Sequence, residues 1–234
     1  MDGDYHGFHG GASTAAWDIT DASAGSATLT WEGHGLAVTR RLMIEDGRLA
    51  VDTTWRATDG PAPMMHVEHM TFGVALLSPE VEIRLPGGRG FELSEVDGPV
   101  RAPENAPTWP DMLLLDGSIE RADRWPIDRP RARFGCIADI PEGRMEVRNT
   151  ATGEGVAVEW DIAMLPHLWY WHEARESGGR WRHQGEQLGL EPVSVPHSLG
   201  LARAVAEGQA HIVEPGNELH SRIAVRALDG GSPA

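Results

Sequence analysis

Short runs in which apolar and polar residues alternate recur along this chain. Alternation with a period of two residues is typical of half-buried antiparallel strands, and Gly, Pro and Asp punctuate the chain between the runs. We therefore predict an all-β fold made of many short strands. Clear examples of such runs are residues 27–31, 36–40, 49–55 and 81–85.

Three pairs of runs are predicted to form hairpins. Residues 39–44 and 49–55 flank Asp46-Gly47, a dipeptide that tolerates the positive φ of a tight turn. Residues 145–149 and 155–160 are joined by a short polar segment in the same way. A last hairpin is predicted between residues 210–213 and 218–226.

Helical patterning is rare in the sequence. Only residues 198–207 have helical spacing, and Gly208 follows at a good position for a C-terminal cap. We predict at most one or two short helices. Residues 96–133 are richer in Pro, Asp and Arg and less periodic, so we expect a long excursion that contributes to a rim.

The length and net charge of the chain indicate how many domains it forms and which classes of partner it can bind. Chains of 234 residues built from strands are routinely one domain, so we predict a single domain over residues 1–228 and a flexible tail over 229–234. Twenty basic against 35 acidic residues give a net charge of −15, which repels nucleic acid and anionic membranes and favours a neutral ligand. No run reaches the roughly 18 apolar residues of a membrane span, and the N-terminus lacks a signal-peptide pattern, so we expect a cytoplasmic protein.

Cysteine and tryptophan usage adds two expectations. The single cysteine, Cys136, cannot form an internal disulfide, and its apolar neighbours favour a buried, inert thiol over a nucleophile. The nine tryptophans outnumber the other aromatic residues, and flat indole faces suit the C–H faces of sugar rings. Trp169 and Trp171 lie two apart, on one face of a predicted strand, where they either bind a sugar or pack in the core.

The strongest chemical candidates are a carboxylate and a histidine. Glu191 lies in the apolar run 187–194, and we expect Pro192 to stop the strand directly after it. Burial raises the pKa of a carboxyl group toward neutrality, which makes it a competent proton acceptor. His69, in the apolar segment 64–73, is the best-placed acid. The alternative is a structural carboxylate paired with an arginine such as Arg182.

A metal site is the rival interpretation of a β protein rich in His and Glu, as in the cupins. On a strand, His66 and Glu68 share one face while His69 takes the other. At most two of the three point inward together, so we predict that the protein binds no metal.

Several segments spread over nearly the whole chain together resemble the aldose 1-epimerase (galactose mutarotase-like) family. They are a His-Gly segment at residues 6–11 followed by Trp17, a histidine with aromatic and small residues at 69–73, a Pro-aromatic-Trp strand at 165–173, a strand carrying a glutamate at 188–192, and a Pro-Gly turn at 213–219.

The resemblance implies a large twisted antiparallel β-sandwich whose concave sheet holds an open sugar site. Glu191 would be the general base at the anomeric hydroxyl and His69 the general acid at the ring oxygen. His6 would be a supporting donor, and His9 competes with it for that role. The implied reaction needs no cofactor. The main alternative is a carbohydrate-binding protein on the same scaffold without turnover.

One departure from the family pattern concerns the N-terminus. Family members carry further strands before the His-Gly segment, including an arginine that helps hold the sugar, whereas this sequence starts five residues before His6. We therefore expect an exposed or incompletely covered sheet edge. Unpaired edges favour association, and a homodimer is one form that such an edge allows.

Overall fold

The computed structural model describes residues 9–77, 80–94, 98–125, 130–176 and 183–230. Strands dominate these ranges, as the alternating runs predict. None of the helices found there is long and apolar enough to cross a membrane.

The strands, in chain order, are β1 (Asp18–Ala22), β2 (Ser26–Gly33), β3 (Leu36–Glu45), β4 (Arg48–Ala57), β5 (Ala62–Met64), β6 (Thr71–Gly73), β7 (Val81–Arg84), β8 (Arg89–Glu92), β9 (Asp111–Leu113), β10 (Ile119–Arg121), β11 (Arg124–Trp125), β12 (Arg131–Ala138), β13 (Arg144–Asn149), β14 (Gly155–Trp160), β15 (His167–Ala174), β16 (Glu186–Val193), β17 (His211–Val213) and β18 (Glu218–Leu228). The helices are α1 (Gly11–Thr14), α2 (Val74–Leu77) and α3 (Leu201–Ala206).

Two large sheets form a sandwich. The nine-stranded sheet has the order β1-β2-β3-β4-β18-β14-β13-β7-β11, and the seven-stranded sheet has the order β10-β9-β8-β12-β15-β16-β6. Strand pairing within both sheets is antiparallel except between β8 and β9. Apolar side chains from both sheets share one core, for example Trp55 and Val147 from the larger sheet with Leu168 and Leu190 from the smaller. The predicted all-β sandwich is confirmed.

Two of the three predicted hairpins are confirmed. In β3–β4, Glu45 pairs with Arg48, and the two turn residues have positive φ, 49° at Asp46 and 73° at Gly47. These values suit the tight turn that Asp-Gly favours. The second hairpin joins β13 to β14.

The third predicted hairpin is wrong. β17 pairs with β5 in a separate two-stranded sheet, whereas β18 lies between β4 and β14. The intervening turn, closed by a 3.0 Å hydrogen bond from the Asn217 N–H to the Glu214 carbonyl, passes the chain from one sheet to another. The eleven-residue β18 gains more backbone pairing against two long strands than the three-residue β17 offers.

The described residues contain three short helices rather than at most two. The predicted one is α3, and Gly208, with a φ of 68°, follows its last turn as expected. The other two helices are single turns of four residues. Segments of that length are too short to show a helical period in the sequence.

The excursion predicted over residues 96–133 is more ordered than its composition indicates. It contains β9, β10, β11 and the first residues of β12, and its residues 96, 97 and 126–129 lie outside the described part. Ala102 and Ala106 from its first part pack against Phe91 and Cys136. Cys136 is fully buried, as predicted, and burial raises the pKa of its thiol.

The seven-stranded sheet has an inner face and an outer face. Leu168 and Tyr170 of β15 belong to the shared core and define the inner face. Because side chains alternate along a strand, Trp169 and Trp171 belong to the outer face, turned away from the nine-stranded sheet. This face holds the residues of chemical interest.

The N-terminal strand β1 is an edge strand of the nine-stranded sheet, and all five of its residues are exposed. This agrees with an exposed edge in the described part of the chain. The association expected from that edge stays a prediction.

Candidate active site

Strand register brings Glu191 and His69 together. Val67 faces Val193 and Thr71 faces Gly189 across two antiparallel segments. The same register between these two points puts His69 directly opposite Glu191. Pairs of this kind hold their side chains close together.

Pro192 shapes the backbone beside this pair. We expected the strand to stop there, but β16 continues through Pro192 to Val193. The Pro192 carbonyl accepts the Glu68 N–H at 2.9 Å, but proline has no N–H to return the bond. The Glu68 carbonyl instead accepts the Met70 N–H at 3.0 Å, which interrupts the strand on either side of His69.

The Glu191 carboxyl is buried and lies next to an accessible imidazole. Its Oε1 is 3.5 Å from Nε2 of His69, and the side chains are 5% and 45% exposed, respectively. Burial raises the pKa of Glu191 to about 7. A carboxyl group with this pKa exchanges its proton readily near neutral pH.

Two tryptophans line the same face beside the carboxyl. Across β15, Trp169 pairs with Glu191 and Trp171 pairs with Gly189. The predicted shared face of the two tryptophans is therefore confirmed. Trp169 also makes a T-shaped contact with Phe134, with ring centroids 5.5 Å apart, and it packs against two small apolar clusters on the outer face.

Of the two competing N-terminal histidines, His9 is placed at the site. Its ring centroid is 5.2 Å from that of His69 in an edge-to-face contact. Burial, with a contribution from His69, lowers the pKa of His9. His6 and the alternative ion-pair partner Arg182 lie outside the described residues.

A partly buried ion network behind the site could not be identified from the sequence patterns described above. One Arg40 amino group donates to both oxygens of Glu68, at 3.0 and 2.8 Å, and His66 Nε2 lies 3.0 Å from the same carboxylate. Burial raises the pKa of Glu68, but His66 and Arg40 outweigh it and hold that pKa below its ordinary value. A detectable signal was Arg40 itself, a charge at an inward position of β3 after Leu36 and Val38.

This network also fixes the faces of the histidine-rich segment. Arg40 belongs to the inward-facing side of the nine-stranded sheet, so Glu68 and His66 point into the sandwich while His69 points to the outer face. The alternation that we predicted is confirmed. No group of three potential metal ligands occurs among the described residues.

A separate groove of about 470 Å³ lies on the outside of the nine-stranded sheet. Its arginines are already paired, Arg48 with Glu159 and Arg222 with Glu45. It is remote from the Glu191 site, and we assign no chemistry to it.

Comparison with known proteins supports the fold. No family model and no curated protein sequence matches the chain. Among solved structures, a candidate aldose 1-epimerase from Escherichia coli K12 is 16% identical with a TM-score of 0.69, covering 94% of this chain and 71% of that one. A galactose mutarotase related enzyme from Lactobacillus acidophilus is 10% identical with a TM-score of 0.64, covering 97% and 75%.

A galactose mutarotase-like protein from Lactobacillus casei is 16% identical with a TM-score of 0.60, covering 94% of this chain and 75% of that one. At such identities the likeness establishes architecture rather than activity. The strand order, the shared core and these structural neighbours together show that the chain has the galactose mutarotase-like β-sandwich fold.

Proposed function

We propose that the protein is an aldose 1-epimerase-like enzyme, which interconverts the α and β anomers of a free aldose or a close derivative. The observation that carries this proposal is the buried Glu191 carboxyl opposite the accessible His69 imidazole, on a sheet face lined by Trp169 and Trp171. Two of the structural neighbours, a candidate aldose 1-epimerase and a galactose mutarotase related enzyme, motivate the choice of this reaction class.

The proposed reaction moves two protons and breaks one bond. The Glu191 carboxylate accepts the proton of the C1 hydroxyl while protonated His69 donates to the ring oxygen, and the bond between C1 and the ring oxygen breaks. The product is the open-chain aldehyde. After rotation about the C1–C2 bond, His69 takes back the proton of the attacking hydroxyl and Glu191 returns its proton to the aldehyde oxygen, which closes the other anomer.

The electrostatics of Glu191 suit the role of base. With a pKa of about 7, a large share of Glu191 is ionised at neutral pH, yet the carboxylate is more basic than an exposed one. A positioned general acid or general base contributes about 10²–10⁴ in rate. The chemistry is proton transfer, and it requires no cofactor and no metal.

The remaining groups on the face support binding of a sugar. Indole rings of Trp169 and Trp171 offer apolar, flat surfaces to a pyranose, and His9 beside His69 offers a further polar contact. The net charge of −15 favours a neutral sugar over a phosphorylated one.

The experiment that tests the proposal is polarimetry on freshly dissolved α-anomers of common aldoses, with purified protein against buffer alone. We expect the approach to anomeric equilibrium to accelerate in proportion to protein concentration for at least one aldose. Saturable sugar binding without acceleration would instead assign the chain to non-catalytic carbohydrate binding. The absence of both binding and acceleration for every aldose tested would contradict both interpretations.

A further inference from the structure

Gly189 lies on the outer face two residues before Glu191. It is paired with Trp171 on one side and with Thr71 on the other. A methyl group placed on Gly189 would lie 2.7 Å from Oε1 of Glu191 and 3.2 Å from Cε3 of Trp171. The space that a side chain would take is therefore occupied by the Glu191 carboxylate itself.

Backbone freedom does not account for this glycine. Gly189 lies inside the regular strand β16, and its φ is not among the positive values of the chain. The oxygen above Gly189 is also the one that faces His69. What the position requires is the absence of a side chain.

We propose that Gly189 and Trp171 are positioning residues that form a seat for the Glu191 carboxylate, holding it out of water and directed at His69. Neither residue takes part in proton transfer. The consequence for catalysis rests on the proposed function, whereas the seat itself is a property of the folded chain.

The seat explains why the Glu191 carboxyl group is buried and has a raised pKa. Oε1 occupies the space that a Gly189 side chain would take, the Trp171 ring borders that space, and His69 Nε2 lies 3.5 Å from the same oxygen. Burial raises the pKa of Glu191 to about 7. A methyl group at residue 189 would push the carboxylate off the seat and toward water. Its pKa would then fall toward the ordinary range for glutamate.

The test is a ¹³C NMR titration of the side-chain carboxyls, in which the Glu191 signal is identified by its loss in Glu191→Gln. We expect Gly189→Ala to lower the Glu191 pKa by one unit or more. Gly73→Ala is the matched control, because Gly73 lies on the same face in the neighbouring strand and no described atom lies within 4 Å of the added methyl. This control should leave the titration unchanged.

Trp171→Leu provides a second variant should Gly189→Ala fail to fold, since it opens the same seat by removing a wall. It too should lower the Glu191 pKa by one unit or more. A Glu191 titration that stays near 7 in each variant that folds would overturn the seat.

The catalysed rate of mutarotation is a second, independent measurement. Gly189→Ala should reduce the catalysed mutarotation rate at least tenfold while KM changes less than threefold, and Gly73→Ala should reduce neither. A shifted titration in a protein whose wild type has no catalysed rate would support the seat and contradict the proposed function. An unshifted Glu191 titration in the variants, together with a catalysed rate in the wild type, would contradict the seat and support the proposed function.

Discussion

Nε2 of His69 lies 3.5 Å from Oε1 of Glu191, yet His69 is nearly half exposed while Glu191 is buried. The imidazole and the carboxyl group are therefore in contact but differ in their exposure to solvent. Water and ligands reach the imidazole freely, whereas the carboxyl is held in surroundings that disfavour its charge.

Glu191→Gln should stabilise the fold at alkaline pH. The pKa of Glu191 is about 7 in the folded chain against an ordinary value of 4.5, so the folded state binds this proton more tightly than the unfolded state does. Ionisation of Glu191 therefore costs stability as pH rises from about 4.5 to 7, and the cost is complete above 7. We expect a gain of about 2–3 kcal/mol at pH 8.

Urea unfolding of both proteins across pH 4.5–8 measures this gain, which should shrink toward the acid end of the range. Glu32→Gln, at an exposed position of β2, is the control and should show no such trend. A Glu191→Gln protein that is less stable than wild type at pH 8 would contradict the buried, costly carboxylate.

His172 should make the fold sensitive to acid. It is fully buried on the inner face, neither ring nitrogen has a hydrogen-bond partner among the described residues, and burial, then Arg131 and Arg133, lower its pKa to about 3. The folded pKa lies below the unfolded value near 6.5, so stability is lost as pH falls below 6.5.

Replacing His172 by Phe removes this titration while keeping a flat ring. We expect the variant to gain about 2 kcal/mol relative to wild type between pH 7 and pH 5, measured by urea unfolding. His220→Gln, at an exposed site, should behave as wild type. Equal acid sensitivity of wild type and His172→Phe would show that other groups govern it.

Arg40→Met should destabilise the fold by about 2–3 kcal/mol, because it leaves the Glu68 carboxylate buried without its guanidinium partner. The expected loss is below that of a fully buried pair since Arg40 is 26% exposed. Arg41→Met removes the same charge from the neighbouring, exposed position and should cost little. Equal losses from the two substitutions in thermal unfolding would argue against the network.

Trp169 and Trp171 should differ in what they contribute. Trp169 packs against two apolar clusters and Phe134, so Trp169→Ala should cost about 3–5 kcal/mol of stability. Trp171→Ala should cost clearly less and should weaken sugar affinity. Urea unfolding with sugar-binding titrations separates the two effects, and a larger stability loss at Trp171 would contradict this division.

Much of the fold could be predicted because its signals are local. The alternating runs predicted β2, β3, β4 and β7, and Asp46-Gly47 predicted its turn. The destinations of β17 and β18 could not be predicted, because the Pro-Gly turn between them signals a change of direction without specifying which strand comes next.

In the candidate site, too, local features could be predicted from the sequence whereas long-range pairing could not. Alternation correctly placed Trp169 with Trp171 on one face and separated His69 from His66. The pairing of His69 with Glu191 depends on a register between segments far apart in sequence, which no local pattern records. The expected stop at Pro192 was wrong because its missing N–H removes one hydrogen bond toward Glu68, while β16 continues to pair with β15.

The proposed role of Glu191 as the base is tested by the catalysed rate of anomer exchange, measured by NMR exchange spectroscopy at anomeric equilibrium. Glu191→Gln keeps the shape of the side chain but replaces the basic carboxylate with a non-basic amide, so the rate should fall by about 10²-fold or more while the protein stays folded. The wild-type rate should rise as pH increases through about 7, where the carboxyl ionises. A Glu191→Gln rate within a few-fold of wild type would contradict the assignment.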